Sequence, residues 1–139
     1  MPYVLEPLVG GELGPDTALD RATHPPGVDR VQYVLDTPTT ADLIESFPVY
    51  LVSEELADRL TSADVTGFRL EDAEVIPSVE YTEAFGDAPH KAYRWLRPDP
   101  DATDPDVWIS EDLRLAVSDR MWDVLQQADL RGCDVEPLT

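Results

Sequence analysis

The chain has 139 residues, 42% of them hydrophobic, and carries a net charge of −19 from 29 acidic and 10 basic residues. That is one domain's length with enough apolar matter for a real core, which excludes wholesale disorder, and no run approaches the roughly 18 apolar residues that span a bilayer. The charge sets nucleic acid and anionic lipid aside as partners, because each phosphate contact needs a local basic patch and the arginines and the one lysine, Lys91, are scattered. The N-terminus lacks the basic start of a signal peptide, so the cytoplasm is the expected location. A lone cysteine, Cys133, excludes an internal disulfide and any multi-cysteine zinc site.

In chain order, residues 2–9 alternate Tyr3, Leu5 and Val9 against polar or proline positions, which predicts a short edge strand. Residues 10–27 are rich in Gly and Pro and read as an irregular connection. Val28 to Asp36 predicts a better strand, with Val31, Tyr33 and Leu35 on one face. Asp42 to Phe47 suggests a helical turn before Pro48. Val49 to Val52 is a short apolar strand, and Ser53 is a good N-cap with Glu54 and Glu55 in the first turn, where the helix dipole favours negative charge. Leu56, Leu60 and Ala63 then share a helical face. Gly67 closes that unit, and Phe68, Leu70 and Val75 to Tyr81 return as strand. Tyr93 and Trp95 fall at strand spacing, Pro98 to Asp106 is an acidic, proline-broken loop, and Val107 to Ile109 resumes a strand. Leu113, Leu115 and Val117 predict another strand before Ser118. A second helix would bury Met121, Trp122, Leu125 and Ala128, and after Gly132 a terminal strand runs through Cys133 and Val135.

The two halves of this plan match. Residues 52–71 align without a gap on residues 117–136, an offset of 65, with 8 of 20 pairs identical. Most other pairs keep their polarity, as in Glu54/Asp119, Leu56/Met121 and Leu70/Val135. A self-match of this length points to one supersecondary unit used twice. The expected fold is therefore α+β over a single domain, residues 1–139. Two pseudo-repeated strand–helix–strand units pack short helices on a mainly antiparallel or mixed sheet. Helices of this length are too short to stand alone and draw their stability from packing.

Catalytic chemistry finds little support. Capping explains Ser53 and Ser118 at once, and the only histidines, His24 and His90, sit in proline-flanked loops with no nucleophile elbow. Gly10-Gly11-Glu12-Leu13-Gly14 lacks the Gly-Lys-Ser/Thr end of a phosphate loop. Tyr93, Trp95, Trp108 and Trp122 read as core. Asp99, Asp101, Asp104 and Asp106 form the densest carboxylate cluster, but Pro100 and Pro105 do not fit a calcium loop. A solvated acidic loop is the better reading, and it makes a contact for a basic partner, with Asp58, Asp64, Asp123 and Asp129 as flanks. No cofactor or metal is expected.

Residues 113–138 carry a strand entering a Val-Ser-Asp helix start and a helix leading to Gly132-Cys133-Asp134-Val135-Glu136-Pro137. This pattern resembles the C-terminal end of small immunity proteins from bacterial polymorphic-toxin systems, and residues 50–72 look like a second copy. The resemblance implies a protein without catalysis that binds and neutralises a cognate toxin; it transfers no binding residues, because the matched positions are mostly core. The expectation is thus a non-catalytic, acidic protein-binding protein with a basic protein partner. The alternatives are a DNA mimic, a small metal-dependent hydrolase using the Asp-rich loop, or an acidic domain of another role.

Overall fold

The computed structural model describes residues 1–20, 22 and 27–138. Among them the protein is α+β, with three helices and thirteen strands in several mostly antiparallel sheets. Strands β1 (Tyr3–Glu6), β2 (Gly11–Leu13), β3 (Ala18–Asp20), β4 (Gly27–Arg30) and β5 (Gln32–Leu35) come first. The hairpin of β6 (Leu43–Ser46) and β7 (Val49–Ser53) leads into helix α1 (Glu54–Ser62), followed by β8 (Phe68–Glu71), β9 (Glu74–Pro77) and α2 (Val79–Phe85). Then come β10 (Tyr93–Pro98), β11 (Val107–Ile109), β12 (Leu115–Val117), α3 (Asp119–Leu125) and β13 (Asp134–Pro137).

Two four-stranded sheets frame the molecule, in the orders β6-β7-β10-β8 and β11-β12-β1-β13, with every pairing antiparallel. The pairings of β7 and β8 with β10 match those of β12 and β13 with β1 at an offset of 65, whereas the outer strand β11 sits 64 residues after β6. Leu96 of β10 lies opposite Tyr50 on one side and Leu70 on the other. Leu5 of β1 lies opposite Leu115 and Val135. A third sheet, β2-β5-β9, holds the parallel pair β5 and β9, and β3 with β4 forms a two-stranded ribbon.

Helices α1 and α3 lie against each other over one core, where Leu56 and Leu60 meet Met121 and Leu125 above Leu5, Tyr50, Leu96 and Leu115. The opposite face of the β6–β7 hairpin feeds a second core. Because side chains alternate across a strand, Leu43, Tyr50 and Val52 face the first core while Ile44, Val49 and Leu51 face the second, with Tyr33, Leu35, Tyr81 and Trp95.

Several expectations need correction. β1 is an interior strand, not an edge, because β12 and β13 flank it on both sides; Pro2 and Pro7 lie just outside it, so the ladder loses no donor there. The helical turn expected from Asp42 is strand β6: Leu43 and Ile44 are both buried on opposite faces, which only a strand between two cores accommodates. The strand expected through Tyr81 stops at Pro77, and Ser78 caps α2 by accepting from the Tyr81 amide. Val28 to Asp36 divides at Val31 into β4 and β5, and the connection through 10–27 contains strands β2 and β3. Ala63 is exposed at the end of α1, and Ala57 takes its place on the buried face. α3 ends at Leu125, short of Ala128.

Candidate partner-binding site

The loop between β10 and β11 carries the four aspartates singled out in the sequence, and its backbone is tied down at both ends. The Asp99 amide donates to the Gly67 carbonyl at 2.8 Å, and the Asp106 amide donates to the Thr66 carbonyl at 2.9 Å. Within the loop, the Asp101 amide donates to Asp99 Oδ1 at 3.0 Å. Gly67 makes this docking possible. It sits at φ +97°, and a Cβ there would lie 2.4 Å from Cβ of Pro105.

Asp99, Asp101 and Asp104 project from this loop as exposed residues, but Asp106 does not join them. At 5% exposure it faces inward. Its Oδ1 accepts from the Ser118 hydroxyl at 2.6 Å, and its Oδ2 accepts from the Thr66 amide at 2.8 Å, with Arg120 3.9 Å away. Burial alone would raise its pKa. The donors Ser118 and Thr66 and the charge of Arg120 outweigh burial and hold it below the usual carboxylate value. The surface patch is therefore three aspartates, and the fourth is a structural anchor.

Asp42 does the same work elsewhere. Its Oδ1 accepts from the Ser53 hydroxyl at 2.6 Å and from Lys91 Nζ at 2.8 Å, and its Oδ2 accepts from the Asp129 amide at 2.8 Å. Burial, the first influence on it, is again outweighed, here by Lys91, Ser53 and the Asp129 amide, and its pKa is lowered. Each cap serine thus accepts from a helix amide, Leu56 or Met121 at 3.1 Å, while donating to a buried carboxylate. Sequence reasoning found the caps and missed the carboxylates behind them. The signal was present but lay one residue out of the gapless alignment, since Asp42 precedes Ser53 by 11 residues and Asp106 precedes Ser118 by 12.

Of the flanking residues, Asp58, Asp64 and Asp123 are exposed, whereas Asp129 is half-buried and bonded to Arg131 and Thr40. His24 lies outside the described residues. His90 packs edge-on against Tyr81 with its Nδ1 2.8 Å from the Lys91 carbonyl oxygen. Cys133 is half-buried, and burial pushes its thiol up to about 11. Among the described residues no group of three His, Cys, Asp or Glu side chains could hold a metal ion. No helix is long and apolar enough to cross a membrane.

Beside the acidic loop runs a groove of about 730 Å³, which the sequence reading of the aromatics as core did not anticipate. Tyr50 and Trp95 form part of its lining with the more open Phe47 and Trp108, and Asp99 and Glu111 contribute carboxylates. Arg97 stacks on Trp95 with its guanidinium carbon 4.9 Å from the ring centroid, and it is also paired to Glu71 at 3.1 Å.

No protein-family model, no curated protein and no solved structure matches this chain.

Proposed function

We propose that this chain is a non-catalytic binding protein of the immunity kind, which captures a basic toxin in the cytoplasm through its acidic surface. The observation that carries the reading is the charge of −19, with Asp99, Asp101 and Asp104 exposed together on one tethered loop. Opposite charge accelerates encounter, and a loop already fixed by its backbone loses little further order on binding. Against catalysis stands the engagement of both cap serines, whose hydroxyls are committed to Asp42 and Asp106 and not to a histidine. The loop would be the charged part of a larger contact, since tight neutralisation uses an interface near 1,600 Å² with a few anchored side chains.

We further propose that β6-β7-α1-β8 and β11-β12-α3-β13 are two copies of one unit whose central strands are exchanged. β10 completes the first sheet and β1 the second, and the shared 65-residue register supports the assignment. The test of function is co-expression with the toxic domain of a large secreted protein encoded beside this gene. Growth restored by the wild-type chain is the expected result. Toxicity unchanged by a well-expressed, folded chain would overturn the reading.

A further inference from the structure

Strand β6 is a seam between the two large sheets. β7 pairs with one of its edges; at the other, the Glu45 amide donates to the Leu8 carbonyl at 2.9 Å, next to a parallel bridge between Leu8 and Ile44. Leu8 follows β1 of the second sheet and lies close on the approach to β13, where a Cβ on Gly132 would come 2.7 Å from Leu8 Cδ1. Glu45 is half-buried at this seam, and no described residue bonds or pairs with its carboxyl.

Among the described residues, the groups around Glu45 include no cation. Glu6 comes from the end of β1, Asp134 from the start of β13, and Cys133 from the residue before it. Tyr50 stands opposite Glu45 in the β6–β7 ladder, and the Tyr33 hydroxyl of β5 donates to the Glu45 carbonyl at 2.8 Å. Burial first, then the charges of Asp134, Glu45 and Glu6, push the Cys133 thiol up, so three carboxylates act on one half-buried group. Burial, with the charge of Glu6 second, likewise raises the Glu45 carboxyl to about 7. Protonated, Glu45 closes the rim of the core without a charge; ionised, it faces Glu6 and Asp134 with no described group to neutralise it. We propose that this seam is a pH-sensitive latch: ionised Glu45 loosens β6 from the Leu8 segment and parts the two sheets locally, while the rest of the fold stands. The inference rests on the fold and not on the choice of partner.

The test is amide hydrogen exchange of the full chain across this pH range, corrected for the intrinsic rise of exchange with pH. It is read at the Glu45 amide and at the amides of the central strand β10. The opened seam returns Glu45 to its ordinary value of 4.5, so the closed latch is fully stabilised below that value and loses stability as pH rises to about 7. Protection of the Glu45 amide should therefore fall by up to about ten-fold per pH unit through this window and level off above it. A local opening exposes little surface, so in dilute urea exchange at Glu45 should hardly quicken, whereas exchange at β10 should. Glu45→Gln should abolish the pH dependence at position 45. Glu6→Gln, on the exposed side of the seam, serves should Glu45→Gln not fold; it removes one repulsion, so the fall should be smaller and end at lower pH. Protection at Glu45 that does not change with pH, a fall that persists in Glu45→Gln or is full-sized in Glu6→Gln, or a urea dependence at Glu45 equal to that at β10 would overturn the proposal.

Discussion

Ser53 and Ser118 each link a helix start to a buried carboxylate, so their loss should exceed that of an ordinary cap. Replacing either by Ala removes the acceptor for a helix amide and also strips a donor from Asp42 or Asp106, and should cost about 2 kcal/mol in urea unfolding. The carboxylates have a pH signature of their own. A lowered folded-state pKa means that stability is fully present above the unfolded value, near 3.8, and is lost as pH falls through the folded one. Asp106→Asn should accordingly be less stable than wild type at neutral pH and should flatten the loss of stability below about pH 4. Glu45 has the opposite sign. Burial, with the charge of Glu6 second, pushes its carboxyl up to about 7. The folded state then binds the extra proton between the unfolded value of 4.5 and about 7, so stability falls as pH rises through that window and is level above it. Glu45→Gln should remove that slope in denaturant titrations taken from pH 5 to pH 8. An unchanged slope would place the titration elsewhere.

At the scale of elements, helices α1 and α3 depend on a few apolar residues. Leu60 is 0% exposed and Leu125 is 1% exposed, and truncation of either to Ala should cost roughly 2–5 kcal/mol by thermal or chemical unfolding. Gly67→Ala forces a Cβ against Pro105, so it should release the acidic loop. Faster amide exchange at Asp99, which bonds the Gly67 carbonyl, would report that release. These helices were legible in the sequence because caps and apolar spacing act within a few residues. β1 was misread because its neighbours, β12 and β13, lie more than a hundred residues away, and nothing in Tyr3 to Glu6 announces them. β6 was misread because a four-residue strand whose adjacent Leu43 and Ile44 are both buried has no useful period, and α2 because Val79, Tyr81 and Phe85 look like strand residues while only Tyr81 is buried.

For the whole molecule, charge is the property most legible in the sequence and the one whose use depends most on structure. Composition sees four equivalent aspartates in the loop; burial separates Asp106, an anchor bonded to Ser118 and Thr66, from the three that face solvent. The groove was hidden for a related reason. Tyr50 and Trp95 are buried as their composition suggests, and only the fold sets them beside the more open Phe47 and Trp108. Neutralising the three exposed aspartates should leave the fold intact or slightly more stable, since self-repulsion falls. The central claim is that this loop steers a basic toxin. It is tested most directly by association kinetics of the wild type and the Asp99→Asn, Asp101→Asn, Asp104→Asn triple variant with the toxin domain used in the growth assay, across a salt series. A lower on-rate and a flatter salt dependence in the variant are predicted, because the steering field is screened over about 8 Å at physiological ionic strength. An on-rate and a salt slope equal to those of the wild type would contradict the account.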